Sequence, residues 1–258
     1  MSIRRSFSQW FCSNKAAYGV AVLFTVGACG ATPPEDFPPG LRVLFIGNSL
    51  TYTNDVPAMV NLMLLVSGAE VSEIRSIAFG GWGLPDHWDF GPARETIKDG
   101  NWDFVVMQQG PSATEGRPYL LDYAERFDGE ISATGAVTSL YMVWPSLGRF
   151  FDFDGVLASY KDAAELVGGL FLPAGEAWRT AWAVDSTLQL YGPDNFHPSE
   201  YGSYLAALVI FEGITGADAR TLPARLEVSG LNAVDIPVDV ADVLQGAAHE
   251  TVLRFGGQ

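Results

Sequence analysis

Cysteine is nearly missing from this chain of 258 residues, which holds two, Cys12 and Cys29. Both lie in the N-terminal stretch, so the body of the protein has no disulfide framework, no thiol nucleophile and no cysteine-based metal site. Histidine is also scarce, with three residues. His87 and His249 stand apart from each other and from any spacing such as H-E-x-x-H, and no metal or other cofactor is expected. Basic residues are few: 15 Lys and Arg face 30 Asp and Glu, a net charge of −15. Residues 1–28 carry three basic and no acidic residues, so the remainder holds 12 against 30, a net −18. A surface of that sign repels a phosphate backbone, and a nucleic-acid partner is excluded.

What the N-terminal stretch does contain is the layout of an export signal. Arg4, Arg5 and Lys15 precede the apolar run from Ala16 to Val26. That run falls short of the roughly 20 residues needed to span a bilayer as a helix. Its end, Val26-Gly27-Ala28-Cys29, resembles the lipobox of bacterial lipoproteins, which implies lipidation of Cys29 and a membrane partner through that anchor. Ile3 to Phe7 is similar to part of a twin-arginine signal. Residues 29–40 hold four prolines in the stretch Ala31 to Gly40 and cannot form a helix or a ladder. The expected organisation is a signal peptide over 1–28, a Pro-rich tether over 29–40 and one domain over 41–258. The expected location is the bacterial cell envelope.

Beyond the tether, short apolar runs alternate with helical patterns. Arg42 to Ile46, Val71 to Ala78, Phe104 to Met107, Ala136 to Val143 and Leu170 to Leu172 read as strands. Val56 to Val66, Ala93 to Lys98, Tyr119 to Phe127, Val156 to Val167 and Glu176 to Val184 read as the intervening helices. Two more helices are expected at Tyr201 to Ile214 and Val240 to Val252. Continuous apolar strands separated by helices predict an α/β fold, a parallel sheet of about five strands with helices on both faces.

Chemistry in such a sheet sits at the carboxyl ends of the strands, so the loop after each apolar run carries the candidates. The first is Gly47-Asn48-Ser49-Leu50-Thr51, where a buried strand ends and a serine enters a helix. Helix-start N–H groups there can hold an oxyanion while the hydroxyl attacks a carbonyl. Ser49 or Thr51 as a simple helix cap is the alternative. Late in the chain, Asp194-Asn195-Phe196-His197-Pro198-Ser199 places an acid and a histidine three apart. An aspartate fixing one ring nitrogen while the other takes a serine proton is the division of labour of a serine triad.

These two segments, Gly47-Asn48-Ser49-Leu50 and Asp194-x-x-His197-Pro198, resemble the first and last blocks of the SGNH, or GDSL-like, hydrolases, over about residues 41–215. The resemblance implies a three-layer α/β/α flavodoxin-like fold and a catalytic triad of Ser49, Asp194 and His197. It also implies that Phe79-Gly80-Gly81-Trp82-Gly83 supplies an oxyanion-hole N–H from Gly81, with Gly80 second. The oxyanion hole then comprises the N–H of Ser49, Gly81 and a third donor. Where the family carries G-x-N-D, this chain reads Met107-Gln108-Gln109-Gly110-Pro111-Ser112, and the expectation falls on Gln108, with Gln109 or Ser112 as substitutes. The implied function is an exported serine esterase that hydrolyses acyl esters of small molecules or carbohydrates, including O-acetyl carbohydrates, through an acyl-enzyme. Two readings stay open beside it: a glycan-binding surface lipoprotein without turnover, and an acyltransferase that uses the same triad.

Trp82, His87, Trp88 and Trp144 lie near strand ends as candidates for a sugar-stacking wall, set against ordinary core packing. Trp178 and Trp182, four apart, read as one helix face. Asp152-x-Asp154-Gly155 reads as an N-terminal helix cap rather than a calcium loop.

Overall fold

The computed structural model describes residues 40–256; the signal, the tether through Pro39 and Cys29 lie outside the described residues. Strand β1 (Leu41–Gly47) leads into a one-turn helix α1 (Ser49–Tyr52), a 3₁₀ turn (Thr53–Asp55) and α2 (Val56–Val66). Then follow β2 (Val71–Ala78), α3 (Leu84–Asp89), α4 (Ala93–Asp99), β3 (Phe104–Met107) and α5 (Arg117–Ile131). The chain continues through β4 (Val137–Tyr141), α6 (Phe153–Val167), β5 (Leu170–Leu172), α7 (Ala174–Val184) and α8 (Glu200–Thr215). It ends with a two-residue antiparallel pair, β6 (Arg225–Leu226) and β7 (Val234–Asp235), and α9 (Val238–Phe255).

The five long strands form one sheet in the order β2-β1-β3-β4-β5, parallel at every pairing. Val43 to Ile46 of β1, an interior strand, are fully buried, as an apolar strand covered on both faces requires. Helices α2, α7, α8 and α9 pack on one another, and α3, α4, α5 and α6 form a second group. Connections leave β1 leftward to β2 and then rightward to β3, β4 and β5. Right-handed crossovers therefore place their helices on opposite faces, the three-layer arrangement expected. The fold class read from the sequence is the fold observed.

Helix α8 is buried almost all round, from Gly202 to Phe211. It carries no polar face because α2, α7 and α9 enclose it. Its Glu212 meets His249 of α9, whose Nδ1 lies 2.7 Å from Glu212 Oε1 and 3.4 Å from Asp218 Oδ1. The two carboxylates also accept Ala219 N–H and the Arg220 guanidinium, so the group clamps the C-terminal helix to α8.

Several local expectations are corrected. Helix α5 runs beyond Tyr119–Phe127, because its buried face, Leu120, Ala124, Phe127 and Ile131, is diluted by charged neighbours. Helix α3 occupies what reads as a loop, and β6–β7 has too few residues to leave a period. Asp152 sits at the N-cap of α6 but makes no capping bond; its carboxylate accepts Arg149 Nε at 2.5 Å, and Asp154 pairs with Arg179.

Candidate active site

At the C-terminal end of β1 the backbone is crowded. A Cβ on Gly47 would stand 2.3 Å from Thr51 Oγ1 and 3.0 Å from the Gln108 side chain, so only glycine fits. Asn48 then caps α1, its Oδ1 accepting Leu50 N–H at 3.0 Å, and Ser49 becomes the first helical residue. An N–H in that position has no partner within its own helix. The helix-cap role weighed for Ser49 belongs to Asn48.

The side chain of Asn48 ties three loops. Its Nδ2 donates to Trp82 O at 2.9 Å, and its Oδ1 also accepts Gln108 Nε2 at 2.5 Å. Gln108 is fully buried in this contact, its Oε1 unpaired. Gln108, expected as the third oxyanion donor, thus donates to Asn48 and does not line the cavity that holds Ser49: the last residue of β3 is Met107, and the side chain of the next residue turns in toward β1. Its neighbour Gln109 points the other way. Gln109 Oε1 accepts Leu84 N–H at 2.5 Å, which fixes the amide and leaves Nε2 to donate. Tyr160 OH accepts the Gln109 N–H at 3.0 Å and donates to Gly110 O at 2.7 Å. Burial pushes the Tyr160 phenol above its ordinary value, so it stays neutral in this relay. Ser112, the other substitute, is buried against Gly116.

One cavity of about 360 Å³ collects Ser49, Gly81, Trp82, Gln109 and Phe196, with Asn48 and Asp86 at its wall. It opens between the ends of β1 and β3, where the strand order reverses direction and open α/β sheets bind ligands. Gly81 has φ +75°, a left-handed conformation that favours glycine, and no atom stands within 4 Å of where a Cβ would be. Gly80 lies against Tyr52 OH and does not line the cavity.

The remaining pair comes from the loop before α8. His197 Nδ1 lies 2.5 Å from Asp194 Oδ2, while Asp194 Oδ1 accepts Phe196 N–H at 3.0 Å and His197 N–H at 2.9 Å. These donors, the imidazole first, hold the Asp194 carboxyl down at about 2. Tyr191 and Pro198 bridge the base of the loop, Trp144 Nε1 donates to Phe196 O, and Leu147 N–H donates to Asn195 O. Ser199 caps α8 at Gly202 N–H immediately afterwards.

Asn54, with φ 55°, joins this loop to the Ser49 element. Its Nδ2 donates to Pro198 O at 3.1 Å and Ser203 Oγ at 3.0 Å. Among the described residues no hydrogen bond joins the Ser49 hydroxyl to His197; Phe196, the residue before the histidine, is the loop's contribution to the cavity wall.

Asn54, Asn48 and Tyr160 went unread in the sequence. Only Asn48 carried a signal, as a capping residue next to Ser49. His87 is buried beneath the site and donates from Nε2 to Gly47 O at 2.7 Å, with Nδ1 unpaired. Desolvation lowers its pKa below the ordinary 6.5. Of the four candidate wall residues, Trp82 alone lines the cavity. Trp144 stacks on Trp178 in the core at 3.6 Å, and Trp88 packs against Phe127 and under the Arg94 guanidinium. Trp178 and Trp182 share a face of α7, as expected, in edge contact at 5.6 Å.

No family model and no curated protein matches the sequence. Solved structures do. A putative SGNH hydrolase from Slackia heliotrinireducens is 27% identical with a TM-score of 0.57, over 67% of this chain and 98% of that one. A DUF4886 family protein from Bacteroides uniformis aligns over 83% of this chain and 95% of its own, with 19% identity and a TM-score of 0.67. An acetyl-xylooligosaccharide esterase from Geobacillus, also 19% identical, covers 69% and 95% with a TM-score of 0.52. By its fold, the chain belongs to the SGNH-like hydrolase superfamily.

Proposed function

We propose that the protein is a serine hydrolase of acyl esters, with Ser49 as nucleophile, His197 as general base and Asp194 as its orienting acid. The observation that carries the reading is the convergence at one strand-order reversal. A helix-start serine, a left-handed glycine and an oriented amide line a single cavity, beside a loop that holds an Asp–His pair. The structural likeness to SGNH hydrolases and esterases supports hydrolysis of ester bonds.

In the reaction, Asp194 fixes Nδ1–H of His197 and Nε2 takes the proton from Ser49 Oγ as this oxygen attacks the acyl carbonyl. The oxyanion accepts N–H bonds from Ser49, Gly81 and the Gln109 amide, the last in the place expected of Gln108. Collapse expels the alcohol with the proton returned by His197, leaving an acyl-enzyme. Water, deprotonated by the same imidazole, releases the acid. The free chain lacks a Ser49–His197 hydrogen bond, a contact that in hydrolases often tightens only on substrate binding.

The substrate is the acyl ester of a small molecule or a carbohydrate, and the location is the cell envelope, through a lipid on Cys29. The test is hydrolysis of p-nitrophenyl acetate by the wild type and by Ser49→Ala. The variant loses turnover and keeps its circular dichroism; a variant that hydrolyses the ester as fast as the wild type overturns the reading. A wild type that is inert but retains glycans supports the binding lipoprotein instead. Transfer of the acyl group to an added sugar in preference to water supports the acyltransferase.

A further inference from the structure

On the far side of the Asp194–His197 loop lies a second, larger depression of about 810 Å³. The loop divides the two: Phe196 faces the Ser49 cavity, whereas Asn195 and Pro193 line this groove. Asn54, from the turn that follows the Ser49 helix, lines it too. The groove therefore abuts both triad-bearing segments.

Its lining has a definite chemistry. None of its 14 residues is charged, in a chain where 17% of residues are. Phe150, 46% exposed, stands 5.9 Å from Trp182, which stands 5.7 Å from Tyr191, giving a continuous aromatic wall. Around it the exposed side chains of Ser186, Gln189 and Asn195 offer a hydroxyl and amides, and Asn54, whose N–H bonds are spent on Pro198 O and Ser203 Oγ, offers its carbonyl oxygen. Of the leucines bordering the groove, Leu188 and Leu190 are 8% and 1% exposed, while Leu147, 47% exposed, adds apolar surface beside Phe150.

We infer that this groove binds a neutral oligosaccharide, the chain that carries the ester presented to Ser49. A sugar ring offers an apolar C–H face, which the negative face of an aromatic ring attracts, and hydroxyl edges, which amides satisfy. An acyl tail fits less well, because it would strip water from four polar side chains and pair none of them. A polyanionic glycan finds no cation. The inference rests on the esterase reading for the link to Ser49, though binding itself does not depend on turnover.

The experiment titrates the Ser49→Ala protein with cellohexaose, hexagalacturonate and decanoate, following tryptophan fluorescence and calorimetric heat. Cellohexaose is expected to bind saturably and to perturb the fluorescence through Trp182. Phe150→Ala weakens that binding at least tenfold and Phe150→Tyr retains it, while the other two ligands bind at least tenfold more weakly. Absence of cellohexaose binding, binding indifferent to Phe150→Ala, or preference for decanoate or hexagalacturonate overturns the inference. Phe150 is exposed, so its replacement leaves the core intact. Hydrolysis of p-nitrophenyl acetate by the wild type separates the two failures: a Ser49-dependent esterase that ignores cellohexaose refutes the groove alone. A saturable groove on a protein whose hydrolysis ignores Ser49→Ala refutes the catalytic reading alone.

Discussion

Replacing Gln109 with alanine removes an amide that lines the cavity, its oxygen already spent on Leu84 N–H and its Nε2 left as a donor. Loss of one oxyanion donor costs about 100- to 1000-fold in turnover. Gln109→Ala should lower kcat on p-nitrophenyl acetate by that order with little change in KM, and the orphaned Leu84 N–H should lower the urea midpoint less than the change at Gln108 does. Gln108→Ala should do the reverse in emphasis. It empties a fully buried position and leaves Asn48 Oδ1 one donor short, so about 2–3 kcal/mol of stability is lost, read as a lower urea midpoint. If Gln108→Ala proves stable and inactive while Gln109→Ala is fully active, the two assignments are exchanged. His87 sets a pH dependence at the same scale. Its folded pKa is lowered by desolvation from 6.5, so below that value the unfolded chain binds more protons, and stability present above it is lost as pH falls. Asp194, held down to about 2, stays ionised through this range. Urea midpoints should therefore decline below pH 6.5, and less so in His87→Gln; parallel declines in both proteins would assign the effect elsewhere.

At the scale of elements, the site depends on how α1 is joined to the loop before α8, and Asn54 makes that joint. Asn54→Gly keeps the positive φ but deletes the bonds to Pro198 O and Ser203 Oγ. A loosened His197 loop should lower kcat by about tenfold, since a small misplacement of a catalytic group costs on that order or more, with KM for a small ester nearly constant. A rise in KM at constant kcat would place Asn54 in binding instead. This joint was invisible in the sequence because it links residues 144 apart. The parts with local causes were legible. Buried strands show as apolar runs, and Gly47-Asn48-Ser49 reads as a strand-to-helix turn. Gly81, the glycine expected to serve the site from Phe79 to Gly83, has a left-handed φ and lines the cavity. Which of Gln108 and Gln109 lines the cavity was not legible, because adjacent residues past a strand end differ only in which way the chain turns. Nor was the divide between Trp82, on the cavity, and Trp144, in the core, since both follow apolar runs.

For the whole molecule, the order β2-β1-β3-β4-β5 brings the ends of β1 and β3 side by side and so sets Ser49 beside Gln109, although 60 residues separate them. The sequence placed the sheet and its helices because each run has the length and spacing of one element. The aromatic groove escaped it, because the lining is drawn from segments whose patterns read as core or loop. The proposed envelope location rests on residues outside the described ones: Cys29→Ala should shift the protein from the membrane to the soluble fraction of the producing cells, and an unchanged distribution would remove the lipid anchor. The central claim is the activated serine. It is tested most directly by reaction with a fluorophosphonate, followed by intact mass and peptide mapping. One adduct per chain on Ser49, absent from Ser49→Ala and slowed by orders of magnitude in His197→Ala, is the result predicted. An adduct on another residue, or none from pH 6 to 9 on a protein that hydrolyses p-nitrophenyl acetate, would contradict it.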